Sequence, residues 1–250
     1  MGSQLKHLLI LALTLQLCHA QMLTTIVGGG PAAAPPITFV STGITMCAGD
    51  TAGSGVQVAA ITLGPFTSTG GNFIVVWSGA HAAGLPTIVD SKLNTWTQLT
   101  ADTTGSFPNM RGWYAKNATV GTSHTITVTG LFVGFCAAIF SGVSTSTPRD
   151  GTGSRVSDHS GTTNQPGSVT PAADGSLLIT ATGTDATVVV TNNDLGLGFT
   201  QSGNFVGGNS PSTWAGITMA YKIQGTAAAQ NPTFTYGVSA VTDAVIDIFK

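Results

Sequence analysis

Short runs of apolar residues, separated by turns rich in Gly, Ser, Thr, Asn and Pro, recur along most of the chain. From His124 to Thr129 the apolar residues alternate strictly with threonines, which predicts a strand with one buried and one solvated face. Asn72 to Ser78 instead carries a continuous apolar run, as expected for a central strand that is covered on both faces. No stretch of the chain shows a convincing amphipathic helix, so the pattern predicts an all-β protein.

The pattern predicts about a dozen strands, each bounded by turn residues. In about 230 mature residues they fit a single antiparallel β-sandwich of the jelly-roll type. We interpret Asp150 to Gly167 as a long loop within that domain; a linker between two domains is the alternative. The predicted strands are Ile37 to Thr45, Gln57 to Leu63, Asn72 to Ser78, Thr95 to Leu99, Met110 to Lys116, His124 to Thr129, Val133 to Phe140, Leu177 to Thr182, Thr187 to Thr191, Trp214 to Lys222, Thr233 to Tyr236 and Thr242 to Phe249.

The first residues indicate export. A basic start at Lys6 precedes the apolar stretch Leu8 to Leu17 and small residues near Ala20, a pattern typical of a secretory signal peptide. The apolar stretch is short of the roughly 20 residues that span a bilayer, and Leu17 is bulky beside a lipoprotein-type Cys18. We therefore predict a secreted, extracellular or cell-surface protein without a membrane anchor, with a signal peptide at 1–20, an N-terminal extension at 21–36 and a sandwich domain at 37–250.

The extension begins with a short apolar strand on a tether. Gly28 to Pro36 combines a flexible Gly run with a stiff Pro/Ala spacer, so the strand can reach a neighbouring molecule. Such a strand either completes the sheet of the next copy, in one of two registers, or folds back on its own domain as an edge strand, or is disordered. The predicted donor residues are Met22, Leu23, Thr24, Thr25, Ile26 and Val27.

Composition limits the partners of the exported part. Only 7% of residues are charged, 42% are hydrophobic, and the formal net charge is -2. The chain therefore lacks the basic surface that binds nucleic acid or anionic membranes. If the first predicted strand is extended to span Ile37 to Cys47, both Cys47 and Cys136 lie in strands. They can then form a disulfide in an oxidising compartment, or remain as two buried thiols.

Catalytic and cofactor patterns are weak. The chain contains no Glu, and Asp174, Asp185 and Asp194 lie in turn-like contexts. Asp158-His159-Ser160 lies in the segment that we interpret as a loop, and no nucleophile elbow accompanies it. We expect His124 to be a partly buried strand residue and His81 to lie on a loop. The sequence contains no zinc-binding or nucleotide-binding motif. Calcium is the one metal ion for which loop residues offer candidate ligands: Asp50, Asp150 with Asp158, and Asn192-Asn193-Asp194. We predict a non-enzyme that needs no cofactor.

Two features concern glycans. Asn117-Ala118-Thr119 is an N-glycosylation acceptor sequence, and the many Ser and Thr residues are candidates for O-linked sugars. Exposed aromatic rings stack on sugars, whereas a sandwich of this size is expected to bury most of its aromatic residues. The candidate aromatic residues are Trp77, Trp96, Trp113, Tyr114 and Trp214.

Several stretches resemble secreted and phage-tail-associated jelly-roll domains of bacteria and their viruses. These stretches are Gly71 to Val76, Asp90 to Leu99, Arg111 to Ala118, Ala137 to Val143 and Val169 to Leu177. The resemblance implies a structural or adhesive role. The tethered N-terminal strand also resembles subunits of extracellular filaments that assemble by donor-strand complementation. We therefore expect a homopolymeric filament or surface-fibre subunit, and as the alternative a monomeric secreted adhesin or carbohydrate-binding module.

Overall fold

Fourteen antiparallel strands build the domain in a computed structural model that describes residues 35–42, 46–50, 58–80, 86–99, 108–130, 133–185, 190–191, 196–206 and 215–250. Pro36–Lys250 forms one compact unit. The described residues contain no helix, and hence none long and apolar enough to cross a membrane. The strands are β1 (Thr38–Phe39), β2 (Cys47–Gly49), β3 (Ala60–Phe66), β4 (Phe73–Ala80), β5 (Thr87–Asp90), β6 (Thr97–Gln98), β7 (Asn109–Lys116), β8 (His124–Thr129), β9 (Val133–Ser141), β10 (Ser154–Asn164), β11 (Leu177–Asp185), β12 (Thr200–Phe205), β13 (Ala215–Ile223) and β14 (Phe234–Phe249).

The strands form three sheets. The central sheet has the order β1-β9-β4-β7-β6, and β2 pairs with β9 beside β1. The five-stranded sheet has the order β10-β14-β11-β13-β12, and the three-stranded sheet has the order β3-β8-β5. All pairings between these strands are antiparallel, so the predicted all-β, antiparallel class is confirmed. The jelly-roll connectivity remains a prediction.

The central sheet is covered on both faces. Every residue of β4 is buried, and successive side chains alternate between two hydrophobic cores. Phe73, Val75 and Trp77 enter the core shared with the five-stranded sheet, whereas Ile74 and Val76 enter the core shared with the three-stranded sheet. Because side chains alternate across a strand, this division requires a covering layer on each side. The fold is a sandwich extended to three layers.

The five-stranded sheet lies over the central sheet with its strands in a matching lateral order. β12 packs on β2 and β9, and β13 packs on β9 and β4. Phe249 of β14 contacts the rings of Phe73 and Tyr114, on β4 and β7. This order places β10 beyond β14, at the lateral edge opposite to β1, β2 and β12. The edge positions follow from sheet order alone.

The structure corrects one sequence interpretation. Asp150 to Gly167 is not a loop, because it contains the eleven-residue strand β10. Most β10 side chains are exposed or half-buried, so the segment lacks the apolar alternation that reveals a strand in sequence. Its backbone hydrogen bonds come from pairing with β14. β5 and β12 were also missed, for they are short strands at sheet edges, and Thr233 to Tyr236 joins Thr242 to Phe249 in the single strand β14.

Candidate functional site

The chain enters the domain at a fixed point on the edge of the central sheet. The predicted donor strand, Met22 to Val27, lies outside the described residues, as does the signal peptide. Ile37 is buried, and Thr38 and Phe39 pair with Ser141 and Phe140 of β9. Gly142 has a positive φ of 79°, and a Cβ there would collide with the carbonyl oxygen of Pro36. The close approach of the two backbones therefore requires glycine and holds the entry point against β9.

Strand β10 forms the opposite edge, and two register shifts interrupt its pairing with β14; the second lies between Gly161 and Thr163. The register with β14 shifts between Val156 and His159, where Ser157 and Asp158 oppose Asp243. Asp158 takes a left-handed φ of 55°, and its N–H donates to the buried Asp243 carboxylate at 2.8 Å. The predicted Asp158-His159-Ser160 loop is thus a β-bulge, a device that bends edge strands.

An open groove lies along the second half of β10. Its volume is about 490 Å³, within the range of ligand and side-chain pockets. Asn164, one of the lining residues, is fixed in place, because its Nδ2 donates to the carbonyl oxygen and Oγ1 of Thr242 at 3.2 and 3.0 Å. The groove is lined by Val156, His159, Thr163, Asn164, Gln165 and Thr233. None of these side chains forms a catalytic pair with another in the described structure.

A buried Ser-His-Asp cluster lies under the three-stranded sheet. His124 Nδ1 hydrogen-bonds Ser68 Oγ at 2.8 Å, and His124 Nε2 lies 3.4 Å from Asp90 Oδ1. The three residue types are those of a hydrolase triad. However, the His124 and Ser68 side chains are 0% exposed, and Ser68 Oγ also hydrogen-bonds the backbone N–H and carbonyl of Gly121. No substrate can reach the serine, so the cluster acts as a structural network; His124 is fully rather than partly buried.

Asp90 organises this network. Its Oδ1 accepts the N–H of Lys92 at 2.7 Å, and its Oδ2 accepts the indole N–H of Trp96 at 2.8 Å. Burial by itself would raise the pKa of the Asp90 carboxyl, but hydrogen bonds from His124, Lys92 and Asn94 outweigh it and lower the pKa below its ordinary value. The carboxylate therefore remains ionised and ties the turn after β5 to β8.

The other candidate acids and histidines lie apart. Asp174 is exposed in a turn and accepts the N–H of Ala227. Asp50 and Asp150 are buried and accept backbone N–H groups of Val58 and Ala172. The described residues contain no group of three His, Cys, Asp or Glu side chains able to hold a metal ion. His81 and Asp194 lie outside the described residues, as does the Asn192-Asn193-Asp194 stretch; Asp185 is the last residue of β11.

The two cysteines form a disulfide that joins neighbouring strands. Cys47 of β2 is the direct register partner of Cys136 of β9, and their Cα atoms are 4.1 Å apart. The bridge faces the five-stranded sheet, where Gly203 of β12 leaves no room for a Cβ beside Cys47 Sγ. The disulfide therefore closes a long segment of chain and lies between two sheets.

The glycosylation acceptor is exposed, whereas most of the aromatic residues that could stack on sugars are buried. Asn117 is exposed just after β7 with a left-handed φ of 49°, and Thr119 is exposed as well. Trp77, Trp113 and Tyr114 are buried, Trp96 is half-buried, and Trp214 lies outside the described residues. Among the described candidates, only Trp96 keeps part of its ring accessible, so a broad aromatic platform for sugars is not built from these residues.

Asp247 is expected to make stability depend on pH. The carboxyl is buried and 2.8 Å from the Arg149 guanidinium; burial, opposed by the Arg149 charge, raises its pKa to about 6. The folded state thus holds a proton that the unfolded state releases near pH 3.8, so this stabilisation is complete below about pH 3.8 and is lost as the pH rises through about 6. Two pKa units correspond to about 3 kcal/mol.

Urea unfolding of the wild type and of Asp247→Asn between pH 4 and 7 measures this effect. The free energy of unfolding of the variant, relative to the wild type, should rise with pH by up to about 3 kcal/mol. A constant difference between wild type and Asp247→Asn across this range would contradict the assignment.

No protein-family model, curated protein or solved structure matches this chain. The resemblance to phage-tail-associated and donor-strand proteins therefore stays an expectation from sequence.

Proposed function

We propose that the protein is a structural subunit of an extracellular filament or surface fibre, which polymerises head-to-tail by donating its N-terminal strand to the next subunit. The observation that carries this proposal is the anchored entry point: Ile37 is buried, β1 is paired with β9, and the Pro36 carbonyl is held against Gly142. Pro35 and Pro36 are exposed. The residues that follow the predicted tether are therefore held at a fixed point on a sheet edge.

The chemistry of the domain supports a structural role. The candidate triad residues are buried and hydrogen-bonded to the fold. The core spans three sheets, a disulfide joins β2 to β9, and only 7% of the residues carry charge. A surface with little charge has little electrostatic repulsion between copies, which favours self-association.

Removing residues 21–36 from the mature protein should abolish assembly. Negative-stain electron microscopy and size-exclusion chromatography of secreted material should show fibres for the full chain and monomers for the truncated chain. The loss is expected because a donated strand supplies both backbone hydrogen bonds and apolar side chains to its acceptor.

Two point variants separate the strand from its tether. Leu23→Asp combined with Ile26→Asp should abolish fibres, because burying an unpaired carboxylate is unfavourable. Pro35→Ala changes the same extension outside the strand and should leave fibres intact. Globular monomers from every version, including the full chain, would reject the proposal.

The alternative is a monomeric secreted adhesin or carbohydrate-binding module. The half-buried ring of Trp96 is the observation in its favour. A glycan array with wild type and Trp113→Phe, Trp96→Phe variants distinguishes the two functions, since a sugar-binding module should lose signal at Trp96 and not at the buried Trp113.

A further inference from the structure

We propose that Asn117 is an N-glycosylation site and that its glycan covers the exposed side chain of Leu93 in a neighbouring turn. This inference goes beyond strand donation and does not depend on it; it rests on the predicted export of the chain. Three features carry it: the acceptor triplet, the position of that triplet on the surface, and an exposed apolar turn that is hydrogen-bonded to it.

The acceptor triplet is unique in the sequence. N-linked glycosylation requires Asn-x-Ser or Asn-x-Thr in which x is not proline. Asn117-Ala118-Thr119 meets this requirement, whereas Asn231-Pro232-Thr233, the other Asn-x-Thr triplet, has proline at the middle position. A glycan that requires this acceptor pattern therefore has Asn117 as its single attachment point in the chain.

The structure places the triplet on the surface, at the end of a core strand. Asn117 directly follows β7, and both Asn117 and Thr119 are exposed, so the acceptor amide and the threonine hydroxyl are accessible. The N–H of Ala118 donates to the carbonyl oxygen of Asn72 at 2.8 Å and holds the triplet in place. The left-handed φ at position 117 already favours asparagine. Nothing similar requires threonine at position 119, because the hydrogen bonds of this residue with Asn94 use its backbone.

The turn after β5 is hydrogen-bonded to the loop that carries the acceptor. Asn94 Nδ2 donates to the carbonyl oxygen of Thr119 at 3.1 Å, and Asn94 Oδ1 accepts the Thr119 N–H at 2.6 Å. Lys92, in the same turn, donates from Nζ to the carbonyl oxygen of Thr122 at 2.8 Å. Leu93 lies between Lys92 and Asn94, so it is held beside this loop.

The contacts of the described residues do not account for Leu93. Its side chain is 90% exposed, and its left-handed φ of 58° is unfavourable for leucine. Asp90 accepts the N–H groups of Lys92 and Asn94, so the turn presents the leucine in a constant position. A residue that is both strained and exposed indicates a contact with something outside the fold. A glycan on Asn117 fits that contact, because it is attached to the loop that the turn touches and shields apolar surface from water.

The modification step is a glycosyl transfer. Its co-reactant is an oligosaccharide joined through a diphosphate to a lipid, which the secretory glycosyltransferase of the producing cell supplies. A bond forms between Asn117 Nδ2 and the anomeric carbon, while the bond from that carbon to the diphosphate oxygen breaks. The lipid diphosphate leaves, and one amide proton is released to solvent. The product places a bulky, polar group on a protein in which only 7% of residues are charged, which favours solubility.

Mass spectrometry of the full chain secreted by eukaryotic cells tests the site. In the wild type, the peptide that contains Asn117 should carry an N-linked oligosaccharide. Thr119→Ala removes the acceptor pattern but keeps Asn117 and the backbone hydrogen bonds of residue 119, and it should lower glycan occupancy about tenfold or more. The matched variant Thr119→Ser keeps the pattern and should retain the glycan. An unmodified Asn117 in the secreted wild type overturns the inference.

Hydroxyl-radical footprinting of the same material tests whether the glycan covers Leu93. The oxidation rate of the Leu93 side chain should be about threefold or more lower in the glycosylated wild type and Thr119→Ser than in bare Thr119→Ala. Val238, which is 60% exposed on β14, is the internal control and should be oxidised at the same rate in all three proteins. Leu93 oxidised equally fast with and without the glycan overturns the glycan as its cover. Leu93 protected equally in both forms also overturns it, because a protein contact then covers the side chain.

Discussion

Replacing both bridged cysteines, Cys47→Ala with Cys136→Ala, is expected to lower the free energy of unfolding by about 4 to 5 kcal/mol. The bridge links residues separated by 89 positions, so it removes a large amount of conformational freedom from the unfolded chain. It also lies beside Gly203, so its loss removes packing between the central and five-stranded sheets. Denaturant unfolding of the oxidised wild type and the double variant measures the difference.

Reduction provides the control for this experiment. Wild-type protein unfolded in the presence of excess dithiothreitol should match the double variant, because both lack the bridge, whereas the double variant should not respond to reductant. Because β2 contributes only three residues to the central sheet, its pairing with β9 should lose hydrogen-exchange protection in the double variant. If the free energy of unfolding of the double variant lay within about 1 kcal/mol of that of the oxidised wild type, the bridge would contribute little to stability.

Asp90→Ala is expected to lower the free energy of unfolding by about 3 kcal/mol, the range found when a buried hydrogen-bond network loses its shared acceptor. The change leaves the indole N–H of Trp96 and the backbone N–H of Lys92 without their acceptor, and it removes the carboxylate beside His124. Trp96 fluorescence reports the same event locally, because the indole leaves a partly buried environment when its partner is lost.

Two further variants make the Asp90 prediction specific. Asp90→Asn keeps one side-chain oxygen and nearly the same shape but removes the charge. We therefore expect a free energy of unfolding between those of the wild type and Asp90→Ala. Asp174→Ala removes an exposed carboxylate that accepts one N–H, from Ala227. It should change the free energy of unfolding by no more than about 0.5 kcal/mol, as most surface substitutions do. Since the pKa of Asp90 is lowered, the stability that it provides is present above pH 3.8 and is lost as the pH falls through its folded value. Equal effects of Asp90→Ala and Asp174→Ala would contradict the network.

Strands that lie in the core could be predicted from the sequence, whereas those at the edges could not. β4 and β8 lie close to their predicted positions. Burial on both faces gives β4 a continuous apolar run, and burial on one face gives β8 an alternation of residue types, so both strands leave a pattern in the sequence. Most residues of β10 are exposed or half-buried, and β5 is only four residues long, so neither strand shows a hydrophobic periodicity in the sequence. Hydrogen bonds from neighbouring strands, rather than side-chain burial, hold such segments as strands.

The candidate site was partly accessible to sequence reasoning. From the sequence, a disulfide between Cys47 and Cys136 is one of two alternatives, the other being two buried thiols, and the structure shows the disulfide. The strand position of His124 is predicted from the alternating pattern. Ser68 and Asp90 were not connected to His124, because Ser68 is 56 positions away and both lie in turns or short edge strands. The Asp90-Ser91 turn offered the only hint, as Asp commonly accepts backbone N–H groups that follow it.

The sequence by itself determined that the chain is all-β, which strands are buried on both faces, and that charge is scarce; these follow from residue type and local periodicity, which act without reference to distant segments. Only the tertiary structure decided the sheet order, the third layer, the burial of Ser68, His124 and Asp90 together, and the position of β10 at the edge opposite to the chain entry. These features depend on contacts between segments that are far apart in sequence. The packing of whole sheets selects which of those segments pair, and this selection leaves no local pattern in the sequence.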